Sequence, residues 1–187
     1  MAAGVLRARI HTEDMAGPAA GRAATPADAA RIVDILNTSR GREEMYLPYT
    51  LESLGSRLSK DPSLYTWDDV WLGDGAVVGV WPVGDKVRTI ITKDGVSTES
   101  RPGYVLDYGF EPGAEDEFEL LLRAWCDWLQ SRGMDRLSIL TSEGSAGCGV
   151  IRTMTDDVEQ LVMNTSPPIP PPDDLTVRGL YADHIYF

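Results

Sequence analysis

The stretch Tyr104-Val105-Leu106-Asp107-Tyr108-Gly109-Phe110-Glu111-Pro112-Gly113-Ala114 decides how this chain folds. Its first seven residues are rich in aromatic and branched side chains and read as a strand, which Pro112-Gly113 then breaks. Glu115 to Arg132 follows as an amphipathic helix. Phe118, Leu121, Leu122, Trp125, Cys126 and Leu129 recur at the spacing of one buried face, and Gly133 supplies the C-terminal stop. Arg136 to Leu140 is a strand immediately afterwards. Strand, tight loop, helix, glycine and strand make a βαβ unit, which implies two parallel neighbours.

Working outward toward the N-terminus, two hairpins precede this unit. Trp67–Leu72 and Ala76–Val83 flank Gly73-Asp74-Gly75, and Val87–Thr92 and Val96–Ser100 flank Lys93-Asp94-Gly95. Two helices come before them. Thr25-Pro26-Ala27-Asp28 supplies a cap, a first-turn proline and an acid for the positive helix end, and Ala29, Ile32, Val33 and Leu36 follow at helical spacing. A second helix is expected after Thr50, with Leu51, Leu54 and Leu58 on one face, until Asp61-Pro62 stops it. Residues 1–21 are Ala- and Gly-rich and read as a linker or N-terminal arm, with Val5 to Ile10 as an edge strand. Organised sequence begins at Arg22.

Toward the C-terminus, Ser142 to Gly149 reads as a Gly/Ser loop, Val150 to Met154 as a short helix, and Val158 to Asn164 as a strand. Pro167 to Pro172 must be extended. Arg178 to Phe187 is apolar and aromatic enough to be a final, docking strand.

The chain has 187 residues, 43% of them hydrophobic, with 17 basic residues against 29 acidic ones. That length and composition fit one globular domain. A net charge of −12 opposes phosphate backbones and anionic lipids, so nucleic acid and membrane surfaces are not the expected partners. No run approaches the roughly 18 apolar residues of a membrane span, and Met1 to Ile10 lacks the apolar core of a signal peptide. Two cysteines are too few for a disulfide scaffold, and a cytoplasmic protein is expected.

Chemistry-bearing motifs are sparse. His11 and His184 stand at opposite ends of the chain, so neither a zinc site nor a Ser-His-Asp triad is indicated. Cys126 belongs to the apolar helix face, and Cys148 sits among glycines with no basic neighbour to activate it. Trp67 and Trp71 are an even number of positions apart and read as sharing one strand face. With Trp81 they are candidates for lining a ligand pocket. Glu115-Asp116-Glu117-Phe118-Glu119 complements the helix dipole and reads as a solvated helix face.

In element order, from the Thr25-Pro26-Ala27-Asp28-Ala29-Ala30-Arg31-Ile32-Val33 helix start to the βαβ unit, the chain resembles the GCN5-related N-acetyltransferase (GNAT) superfamily over Arg22 to Phe187. The resemblance implies an α/β fold: a mixed, mostly antiparallel sheet with a central parallel strand pair, flanked by helices. It implies acetyl-CoA as cofactor in active members, and direct attack of an amine on the thioester. The amides of Asp107, Tyr108 and Gly109 would hold the pantetheine arm, and Gly113 and Ala114 would meet the pyrophosphate at the helix N-terminus. Glu111 or Asp107 would then be the base, and Tyr181 or Tyr186 the acid.

The loop departs from the family pattern, lacking the basic residue and the spaced glycines. Pro112 removes a donor amide, and Glu111, Glu115, Asp116 and Glu117 surround the place of the phosphates. Like charges at about 4–8 Å repel by roughly 2–4 kcal/mol at an effective dielectric near 20. The expectation is therefore a degenerate site, like that of the C-terminal domain of tandem GNAT proteins, with a ligand-binding or structural role. Its partners would be a small molecule, a sister GNAT domain or a second copy. The alternative is an active N-acetyltransferase acting on a cationic amine.

Overall fold

A computed structural model of the chain describes residues 5–15, 17–41, 46–85, 89–93 and 95–161. Its elements run β1 (Val5–His11), β2 (Arg22–Ala23), α1 (Ala29–Arg40), α2 (Leu51–Ser59), β3 (Val70–Leu72), β4 (Ala76–Trp81), β5 (Thr89–Lys93), β6 (Val96–Ser100) and β7 (Pro102–Phe110). They continue with α3 (Glu115–Ser131), β8 (Arg136–Ser142), α4 (Ala146–Met154) and β9 (Val158–Leu161).

Seven strands form one sheet in the order β2-β3-β4-β7-β8-β1-β9, and β5–β6 is a separate hairpin. Among the described strands only β7 and β8 pair in parallel, at Pro102↔Arg136, Gly103↔Leu137 and Tyr104↔Ser138. Beyond Tyr104 the two part. β7 continues along β4 as far as Phe110, and β8 continues along β1 as far as Ser142. The sheet thus opens at its centre, toward the C-terminal ends of the parallel pair.

Helices cover both faces, and the hydrophobic periods decide which. Ile32, Ile35 and Leu36 of α1 and Leu54 and Leu58 of α2 pack on Val77 and Leu106. On the other face Phe118, Leu121, Leu122, Trp125 and Leu129 of α3 and Ile151 of α4 pack on Val78, Val80, Leu137 and Ile139. The α1 start is built as its sequence suggests: Asp28 accepts from the Thr25 amide and hydroxyl and pairs with Arg22, which holds its carboxyl well below the usual carboxylate range. Thr50 caps α2 by accepting from the Ser53 amide.

Three local expectations change. Val5 to Ile10 is no edge strand: β1 lies between β8 and β9, with Ala8 and Ile10 fully buried. Its alternation was too short to distinguish an edge from an interior position. Trp67 forms a short 3-10 turn with Asp68 and Asp69 instead of opening β3, because Thr66 and Asp69 cap that turn. The glycines after Ser142 do not prevent a helix. Ser145 caps α4 by accepting from the Cys148 amide, and Cys148 and Ile151 are buried beneath it.

Candidate functional site

The opening between β7 and β8 lies beside the C-terminal half of β7, which carries Asp107, Tyr108 and Gly109 of the expected site. The Glu111 amide donates to the Gly75 carbonyl at 2.9 Å, which fixes the alternation along β7. Gly109 and Glu111 turn their amides toward β4, so Tyr108 and Phe110 turn theirs toward the opening, where no strand meets them. The chain then turns tightly into α3. The Ala114 amide donates to Glu111, and Gly113 takes φ 91°, a left-handed value that suits glycine. Ala114 offers no capping side chain, so the first-turn amides of α3 face outward with the positive end of the helix dipole.

Side chains occupy the opening itself. The Tyr108 ring stacks on Phe118 of α3, with centroids 5.3 Å apart. The Arg40 guanidinium lies 4.0 Å over the same ring. Arg40 ends α1, which packs on the opposite face of the sheet, so its side chain reaches Tyr108 through the gap between the parting strands. The first turn of α4 closes from beyond, where a methyl at Gly147 would stand 2.8 Å from the Tyr108 ring. Arg40 is 3% exposed, and the Tyr108 hydroxyl is buried without a hydrogen-bond partner among the described residues.

The two candidate bases are both engaged. Asp107, 3% exposed, accepts from the Tyr49 hydroxyl at 2.5 Å, the Tyr65 hydroxyl at 2.9 Å and Arg57 Nε at 3.1 Å. Burial, then the Asp107 charge, raises the Tyr65 phenol, which stays protonated as a donor. Glu111 takes a two-pronged grip from Arg31, at 2.7 and 2.9 Å, and that contact holds its carboxyl below its ordinary value. Glu117 is also turned aside. It accepts from the Asp74 and Gly75 amides at 2.6 Å each, tying α3 to the β3–β4 turn. The ring of four acids expected around the anion position is therefore reduced to Glu115 and Asp116, because the other two find donors elsewhere.

The tryptophans part company. Trp71 stacks on Trp125 on the α3 face, with centroids 4.2 Å apart, while Trp67 and Trp81 pack beside the α1–α2 core. They do not line one pocket, since the turn at Trp67 removes the strand phase that would have aligned it with Trp71. Tyr181, Tyr186 and His184 lie outside the described residues, as does the expected final strand. His11 comes no nearer than 3.9 Å to Asp157, and the described residues contain no group of His, Cys, Asp and Glu fit to hold a metal ion. Burial pushes the Cys126 thiol up to about 12, which makes it inert.

Arg40, Arg57, Tyr49, Tyr65 and Arg31 were not singled out by sequence. An arginine in the last turn of a helix reads as a dipole partner, and nothing local shows that it crosses a sheet.

No protein-family model and no curated protein matches the sequence. The structure does find neighbours. Saccharomyces cerevisiae N-myristoyltransferase with bound myristoyl-CoA matches with a TM-score of 0.51 at 11% identity, over 84% of this chain and 49% of that one. The fold is GNAT-like. A second structure of that enzyme with myristoyl-CoA gives a TM-score of 0.46 at 12% identity, over 74% of this chain and 41% of that one. One with myristoyl-CoA and inhibitors gives 0.47 at 12%, over 74% and 42%. The chain spans about half the length of the first of these neighbours. Among the described residues, no helix is long and apolar enough to cross a membrane.

Proposed function

We propose that this chain is an acyltransferase-like domain whose acyl-CoA site is degenerate, and that it works as a binding or structural unit. The observation that carries this reading is Arg40, whose side chain passes through the gap between β7 and β8 and stacks on Tyr108. A pantetheine arm would need the same space. The engaged carboxylates add to it. Asp107 would have to give up three donors, and Glu111 its two-pronged ion pair, before either took a proton from an amine. Glu115 and Asp116 still face any phosphate approaching the α3 N-terminus.

Its partner in this reading is a small molecule, a sister GNAT domain or a second copy. A cytoplasmic setting agrees with two buried, unpaired cysteines. Isothermal titration with acetyl-CoA and with a long-chain acyl-CoA tests the proposal. No heat of binding is expected up to millimolar ligand, and micromolar affinity for either would refute it.

The second reading is an active N-acetyltransferase, favoured by the outward amides of Tyr108 and Phe110 and by the uncapped start of α3. Acetyl-CoA would then lie along β7, and a cationic amine would be drawn by the net charge of −12. Tyr181 or Tyr186 would protonate the leaving thiolate. Release of free CoA thiol in the presence of a polyamine distinguishes this reading from the first.

A further inference from the structure

A concavity of about 330 Å³ lies beside α3 at the β2–β3 edge of the sheet, with β4 between it and the β7–β8 gap. Its volume falls at the low end of the roughly 300–1,000 Å³ typical of small-ligand pockets. Gly17, Ala19, Ala20 and Gly21, from a stretch that composition alone reads as linker, form one wall. It lies against α3 so closely that a methyl at Gly17 would stand 2.6 Å from Arg123 Cβ, and one at Gly21 would stand 2.5 Å from a Leu121 methyl. Gly21 also takes φ 68°. Small residues are therefore what the wall requires.

The opposing surface is aromatic and rigid. Trp125, buried, donates its indole N–H to the Val78 carbonyl at 3.3 Å. Trp71 stacks on it, and Trp128 meets it edge-on at 5.2 Å with the rings 79° apart. Trp71 and Trp128 are each half-buried and reach the concavity from this keystone. Asp127 stands on the rim with no hydrogen bond or ion pair among the described residues. Arg22, the cation on the opposite rim, is committed to Asp28 through two bonds of 2.6 and 2.8 Å. Arg132 lies 4.5 Å over the Trp128 ring, so one indole face already carries a guanidinium.

The geometry points to a binding site for a small organic cation, an ammonium joined to a single apolar or aromatic ring. The ring would lie against Trp71 and Trp128, and the ammonium would meet Asp127. A net charge of −12 favours the arrival of such a ligand over an anion of the same shape. The site gives a place and a ligand class to the binding role proposed above, yet it is separate from the acyl-CoA gap. Failure here leaves the acyl-CoA titrations untouched, and acyl-CoA binding would leave this site untouched.

The test uses the full chain and three probes of one size: phenethylamine, 2-phenylethanol and 3-phenylpropanoate. Indole N–H signals are followed by NMR. Phenethylamine is expected to move the Trp71 and Trp128 signals saturably while Trp67 and Trp81, on the other face, stay still. Asp127→Asn, an exposed and conservative change, is expected to weaken that binding about fivefold. Equal shifts with the alcohol or the carboxylate, shifts spread over all five indoles, absence of saturation, or an unchanged affinity in Asp127→Asn would overturn the proposal.

Discussion

Asp107 and Tyr108 are neighbours on β7, and their side chains leave the sheet on opposite faces into opposite chemistry. Asp107 enters a polar knot. Three donors reach it from the α1–α2 connection, from α2 and from the segment before β3, and Asn37 braces Tyr49 by bonding both its amide and its carbonyl. Tyr108 enters an aromatic stack with Phe118, itself stacked on Phe110. Both faces carry an apolar core, and among the described residues the larger one lies on the Tyr108 side. The polar side fixes the connecting segments over the strand through the three donors that Asp107 accepts. One strand therefore braces two layers by different means, hydrogen bonds to a carboxylate on one face and stacked rings on the other.

The largest break in this comparison is expected on the apolar side. Trp125→Ala should destabilise the domain by about 3–5 kcal/mol in urea unfolding, as large-to-small changes of fully buried aromatics do. A cost below about 1 kcal/mol would mean that the α3 face is not the core. On the polar side, Tyr65→Phe removes one of three donors to Asp107 and should cost about 1–2 kcal/mol. A loss as large as that of Trp125→Ala would make the knot, and not the aromatic stack, the main support.

A smaller effect sharpens the comparison through pH. The folded-state pKa of Glu111 is depressed by Arg31, so its contribution is present above the ordinary carboxylate range and is lost as pH falls through the depressed value. The stability difference between the wild type and Glu111→Gln should therefore shrink on acidification from pH 7 to pH 3. A difference that stays constant across that range would mean that the Arg31 contact contributes nothing to the fold.

The βαβ unit was legible because its signals agree: a strand-rich run, a proline–glycine break, a helical period over Phe118 to Leu129 and a glycine stop. The parallel pairing and the opening beyond Tyr104 follow from that order of elements. The position of β1 was not legible, since Val5–His11 joins β8 across more than a hundred residues and no local pattern encodes such a partner. The fate of the carboxylates was hidden for the same reason. Glu111 meets Arg31, and Asp107 meets Arg57, Tyr65 and Tyr49, only once α1 and α2 lie on the sheet. Residue type placed the acids near the end of β7, and tertiary packing decided which donors they meet. Composition does not show that Gly17 and Gly21 lie against α3, because small residues look alike in a flexible segment and in a close-packed wall.

The account depends most on the role of Arg40, and Arg40→Ala tests it directly. CoA affinity should be measured by isothermal titration for the wild type and the variant, with circular dichroism to establish that both are folded. The account predicts no binding by the wild type and measurable binding once the guanidinium no longer crosses the gap. Micromolar binding by the wild type that is lost in Arg40→Ala would contradict it, making Arg40 a ligand of the cofactor and the domain an acyl-CoA-binding one.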